Sequence, residues 1–211
     1  LEWFASPERL DPDLGLDELQ RVVEVAHSFP ACRVVTVPAG EFHADWGSCA
    51  ADPGAWWDIQ RRVIEKIRRY LGVVSGAGLT LAVEVMPFSV IGGIRRFLGI
   101  CDEIGSPDLG LNFDTGHAWA CREMVPLLPF ELQGRIFGTH LGDNRSAENV
   151  KMPLGQGTIP WAPVLRNLRA AGYQGSLDIE VVCPANQVEL RYQESLRHLQ
   201  SLEFATQGES A

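Results

Sequence analysis

Leu109-Gly110-Leu111-Asn112-Phe113-Asp114 reads as a buried β-strand that ends on a carboxylate. Apolar residues fill it, yet Asn112 and Asp114 fall on one face, because side chains alternate along a strand. Three further segments share this form: Leu79–Met86 (LTLAVEVM), Arg135–Leu141 (RIFGTHL) and Ser176–Val182 (SLDIEVV). Near the end of each sits Glu84, His140 or Glu180 respectively. The four groups share a face with Ala82, Asn112, Gly138 and Asp178, the smaller or polar side chains of the same strands. A buried strand does not carry charge there without a reason.

Working outward, strands alternate with helices. Asp17–Ser28 has apolar residues at helical spacing, Leu19, Val22, Val23 and Ala26. Cys32–Pro38 is a β-branched strand closed by Pro38-Ala39-Gly40. Glu41–Gly54 reads as a loop holding Phe42, His43 and Trp46. A long helix over Ala55–Ser75 carries Arg61, Arg62, Lys66, Arg68 and Arg69, read as a solvated face. Helices are expected at Val90–Ile104, around Met124–Leu132, at Trp161–Ala171 and at Gln187–Leu202. Leu1–Ala5 reads as a further strand. With no linker in the series, residues 1–211 read as one domain.

Alternating strands and helices give a parallel sheet. No GxGxxG or P-loop follows any strand, so a nucleotide-binding sheet is not indicated. Functional groups at the C-terminal ends of several strands instead suit a (β/α) TIM barrel. Three carboxylates at one barrel mouth would repel one another, and a divalent cation removes that conflict. Three oxygen ligands and one imidazole suit Mn²⁺, with Mg²⁺, Co²⁺ or Zn²⁺ as alternatives.

The net charge of -9 disfavours a nucleic-acid backbone as partner. No apolar run reaches the roughly 20 residues needed to cross a membrane. No signal peptide is expected ahead of Leu1. Five cysteines without CxxC spacing read as small buried thiols in a reducing, cytoplasmic setting.

The chain resembles the xylose-isomerase-like TIM barrels, which include sugar-phosphate isomerases and epimerases. The resemblance rests on Leu81–Glu84, Asn112-Phe113-Asp114-Thr115-Gly116-His117, His140-Leu141-Gly142-Asp143-Asn144, Pro153–Trp161 and Gly172–Glu180. It implies a metal-dependent enzyme acting on a ketose or related sugar, with Glu84, Asp114, His140 and Glu180 as metal ligands. It also implies that Glu84 and Glu180 move the proton through an enediolate. His117 and Arg145 match substrate-contacting residues, and His43, on the same side of the barrel, is a third candidate. Asp143 is a candidate support for His140. Where the family usually has a histidine before the Gly155-Gln156-Gly157 turn, this chain has Lys151 and Met152.

Counting back from Glu180 makes Leu1–Ala5 the third strand, so about six of eight units are expected. A homodimer covering the open barrel is one consequence. Two other readings compete with the isomerase: an inosose-type dehydratase of the same superfamily, and a degenerate barrel that binds metal or sugar without turnover. An endonuclease-IV-like enzyme would need more histidines and a basic groove.

Overall fold

The computed structural model describes residues 3–208. The chain divides into two compact units, Leu1–Asn112 and Phe113–Ala211, and the division falls inside a strand. The fold is α/β, with a four-stranded sheet among the described residues in the order β1-β2-β3-β4.

The first unit contains α1 (Leu16–His27), β1 (Val34–Ala39), α2 (Trp46–Ala51), α3 (Pro53–Gly76), β2 (Thr80–Val85), α4 (Ile94–Ile104) and the start of β3 (Leu109–Asp114). β1 and β2 run parallel from Val34↔Thr80 to Ala39↔Val85, and β2 and β3 from Leu81↔Leu109 to Val83↔Leu111. Nearly every residue of β2 and all of β3 are buried, as expected for parallel strands covered on both faces.

The sequence explains the helices. Asp52 caps α3 by accepting the Gly54 N–H at 2.8 Å, and Pro53 occupies the first turn, where no N–H is required. Ile59, Val63, Ile67, Leu71 and Val74 then form a buried stripe. α4 stops at Gly105, whose φ of 71° is the left-handed closure that glycine permits. It starts only at Ile94, four residues later than the periodicity suggests, because Gly92 and Gly93 both take positive φ.

Other expectations are corrected here. Of the strand expected at Leu1–Ala5, Leu1 and Glu2 lie outside the described residues, and Trp3–Ala5 form a turn. Trp3 meets the Tyr70 ring edge-on at 5.3 Å, so α3 rather than a sheet buries this apolar segment. The loop at Glu41–Gly54 contains α2 and the start of α3. Of the cysteines whose burial is described, only Cys101 is buried, while Cys121 is exposed.

The basic face of α3 is not uniformly solvated. Lys66 is fully buried, and its ammonium donates to the Asp11 and Leu14 carbonyls at 2.8 Å each. Desolvation, opposed by the charge of Asp11, pushes the Lys66 ammonium down to about 8 from 10.5. The unfolded chain therefore binds more protons between those values. Stability is penalised in full below pH 8 and recovers as pH rises towards 10.5, by at most about 3 kcal/mol. Urea midpoints at pH 7.5 and pH 9.5 should diverge in this direction in the wild type. Lys66→Met should lack that component; equal pH responses in the two proteins would refute it.

The second unit holds the end of β3, α5 (Thr115–Ala120), α6 (Leu128–Glu131), β4 (Ile136–His140), α7 (Trp161–Ala170) and α8 (Val188–Gly208). The strand expected at Ser176–Val182 reduces to one parallel bridge, Leu141↔Ile179. Its backbone is still engaged: Leu141 N–H donates to Asp178 O at 2.7 Å and Glu180 N–H to Leu141 O at 2.9 Å. Beyond it, the Val182 N–H turns to Lys151 O, so this segment divides its bonds between β4 and a loop. No helix among the described residues is long and apolar enough to cross a membrane.

Candidate metal centre

Asp114, at the end of β3, has two tasks. Its Oδ1 accepts the His117 N–H at 2.7 Å and caps α5. Its Oδ2 is left facing the residues that follow β4. His140 ends β4, and its Nδ1 lies 2.9 Å from Glu180 Oε2 and 4.0 Å from Asp114 Oδ2. Glu180 is carried in by the bridge to Leu141. Asp114, His140 and Glu180 thus each offer one ligand atom, all within 4.8 Å of one another.

Gly142 permits this convergence. A Cβ there would stand 2.7 Å from Glu180 O and 3.4 Å from Lys151 Cβ, so any side chain would push the Glu180 segment away from β4.

Lys151 is the residue that pattern reading did not place in this group. Its Nζ lies 2.8 Å from Asp114 Oδ2 and 2.6 Å from Glu180 Oε2. Burial alone would lower the Lys151 ammonium, but the Asp114 charge and hydrogen bonds to both carboxylates hold it above its ordinary range. It is therefore a cation and not a free amine nucleophile at neutral pH. Glu180 is held down to about 2, first by the hydrogen bond from His140, against desolvation, and then by Lys151. The one available signal was the departure at Lys151 from the family's usual histidine.

The chemistry of this donor set fits a divalent ion. Two carboxylates and an imidazole converge, and a lysine ammonium already stands among them as a cation. Asn112 Nδ2, buried on β3 two residues before Asp114 and on the same face, has no hydrogen-bond partner. A buried donor of that kind suits a polar ligand.

Glu84 is buried in β2, at 7% exposure. His117 is buried at the start of α5, with its Nδ1 3.0 Å from Asn149 Oδ1 and its Nε2 3.5 Å from Asp114 Oδ2. Arg145 is exposed, and its Nε and Nη2 donate to Gln156 O at 3.1 and 3.0 Å. His43 is exposed in the first unit, in a pocket with Pro7, Glu8, Ala44, Asp45, Ala55, Asp58 and Ile59, which includes none of the expected ligands. Asp143 does not support His140: its carboxylate accepts N–H groups from Asn144, Gly155, Ile159 and the Trp161 indole.

A family model described as xylose isomerase-like TIM barrel matches residues 2–202. The chain belongs to this family. Among curated relatives, L-ribulose-5-phosphate 3-epimerase UlaE of Escherichia coli is 28% identical over 127 residues, 59% of this chain and 44% of that protein. The match thus spans less than half the length of such relatives.

Solved structures of the family agree in fold. A D-tagatose 3-epimerase-like protein superposes with a TM-score of 0.75 at 23% identity, covering 91% of this chain and 69% of that one. The 3-keto-D-glucoside 4-epimerase YcjR from E. coli gives 0.74 at 18% identity, over 89% and 70%. The IOLI protein with a bound zinc atom gives 0.71 at 16% identity, over 89% and 68%. The relatives of this chain include sugar epimerases, and the chain carries a cluster able to hold a metal.

Proposed function

We propose that the protein is a divalent-metal-dependent sugar isomerase or epimerase that moves a proton next to a ketose carbonyl. The observation that carries this reading is the convergence of Asp114, His140 and Glu180 from three separate segments onto one point. Glu84 is proposed as the fourth ligand. Extending the parallel pairing Val83↔Leu111 by one residue sets Glu84 level with Asn112, on the face that Asp114 shares. Mn²⁺ is the proposed ion, since an oxygen-rich set with one imidazole suits it. A cytoplasmic setting accords with Cys32, Cys101, Cys121 and Cys183 all being free thiols.

When bound, the ion supplies Lewis-acid stabilisation of charge developing on the substrate's oxygens. The residues supply the rest. Glu180, held ionised, accepts the proton from carbon. Glu84 holds the proton on the opposite side, so that return from the other face inverts the centre. His117 is proposed to donate to a substrate hydroxyl, with its ring fixed by Asn149. Arg145 and His43 are proposed at the rim, where the Gln156 carbonyl holds the Arg145 guanidinium.

A panel of ketoses and ketose 5-phosphates with Mn²⁺ in D₂O tests the reaction. Deuterium should enter at the carbon beside the carbonyl. Metal binding without deuterium entry on any member would favour a binder over an enzyme.

Metal binding has its own expected result. Mn²⁺ at a hundredfold excess over its Kd should stabilise the fold by about 2.7 kcal/mol, a rise in Tm of roughly 5–10 °C. Asp114→Asn should abolish most of that rise in differential scanning fluorimetry. An unchanged rise would remove Asp114 from the ligand set.

A further inference from the structure

We propose that Lys151 is a built-in cation of the ligand cluster, holding Asp114 and Glu180 together in the metal-free protein and competing with a divalent ion for the same oxygens. This rests on the reading of Asp114, His140 and Glu180 as metal ligands.

The placement of Lys151 is fixed by its backbone. Its N–H donates to Asn144 Oδ1 at 2.9 Å and its carbonyl accepts the Val182 N–H at 2.9 Å. Its φ of 48° is left-handed, a conformation that a non-glycine residue adopts only where the surrounding bonds hold it. The bare Gly142 lets the Glu180 backbone, the other side of this contact, approach closely, since a Cβ there would stand 2.7 Å from Glu180 O. The residue is 7% exposed, so its ammonium is directed inward rather than to water.

The oxygens it engages are the ones a metal would need. Asp114 Oδ1 is committed to the α5 cap, which leaves Oδ2 as the ligand atom, and Lys151 Nζ is on Oδ2. Glu180 Oε2 receives both Lys151 and His140. A divalent ion binding to these oxygens must displace the ammonium from both. Each lost charge-assisted bond carries a free energy that weakens metal binding by the same amount. Without the lysine, the carboxylates would repel one another and attract a cation more strongly.

The test is Mn²⁺ affinity by isothermal titration calorimetry and by electron paramagnetic resonance of free Mn²⁺, on wild type, Lys151→Met and Lys151→Arg. Lys151→Met should bind Mn²⁺ on the order of ten- to a hundredfold more tightly than wild type. Lys151→Arg, which keeps the charge, should stay within a few-fold of wild type. Binding by Lys151→Met that equals or falls below wild type overturns the proposal while leaving the metal reading intact. Binding by none of the three overturns both.

Should Lys151→Met fail to fold, by circular dichroism, a crystal structure of the wild type with Mn²⁺ decides. The ammonium should have left both carboxylates. An ammonium still within 3 Å of each, with the ion bound to the same oxygens, would overturn the proposal.

Discussion

With Glu180 as the proposed base, Glu180→Gln is expected to leave a folded protein whose turnover on a ketose falls by about a thousandfold, within the range for loss of a general base. The fold should survive because the segment is held by its backbone, through the Glu180 N–H to Leu141 O and the Leu141 N–H to Asp178 O. The side chain is only partly buried, so an isosteric amide meets no steric conflict. What disappears is the negative charge. In the metal-free protein, His140 first and then Lys151 hold the Glu180 carboxyl down to about 2, and a divalent cation in their place favours the same ionised form. An amide cannot accept the proton from carbon. The measurement is the rate of solvent deuterium entry into substrate at saturating Mn²⁺, with circular dichroism to confirm folding. Wild-type exchange by Glu180→Gln would eliminate Glu180 as the base.

The largest effect on stability is expected from Asp143→Ala, a loss of about 3–5 kcal/mol. Asp143 is fully buried. Its Oδ1 accepts the Asn144 and Ile159 N–H groups at 2.9 and 3.1 Å, and its Oδ2 the Gly155 N–H and Trp161 Nε1 at 2.9 Å each. One carboxylate therefore fastens the whole turn between Met152 and α7. Gly157 packs so tightly against it that a Cβ would stand 2.5 Å from Asp143 Cγ. Truncation strands four donors at once, three of them buried. Urea denaturation gives the magnitude, and hydrogen exchange should rise at Gly155 and Ile159. A destabilisation below about 1 kcal/mol would contradict this role.

The sequence made the fold and most of the cluster legible for a physical reason. A charged or imidazole group at the end of an apolar strand is anomalous, and Asp114 and His140 stand out in that way, although only β3 is fully buried and β4 is largely half-buried. Glu180 was visible too, although its segment forms one bridge rather than a strand: the alternation in SLDIEVV records side-chain direction, not how many ladder bonds form. Lys151 was not legible as a member of the cluster. Its aim depends on a positive φ and on bonds to Asn144 and Val182, neither of which a local pattern encodes. Lys66 was hidden similarly, since a lysine among arginines on a helix looks solvated until the Asp11–Leu14 turn is seen folded over it. The misreading of Leu1–Ala5 has the same origin: apolar composition reports burial, and Tyr70 provides that burial without a sheet.

The proline in β1 bears on how this protein avoids sticking to itself. Thr80 N–H donates to Arg33 O and Met86 N–H to Ala39 O, so the odd-numbered residues of β1 turn their polar groups toward β2. Val34, Thr36 and Pro38 therefore turn theirs the other way, toward the outer margin of the strand that ends the sheet order. Pro38 has no N–H to offer. An extended chain arriving at that margin would find the donor row broken after Thr36. A β-rich aggregate needs an uninterrupted ladder to template its growth, and this margin denies it one.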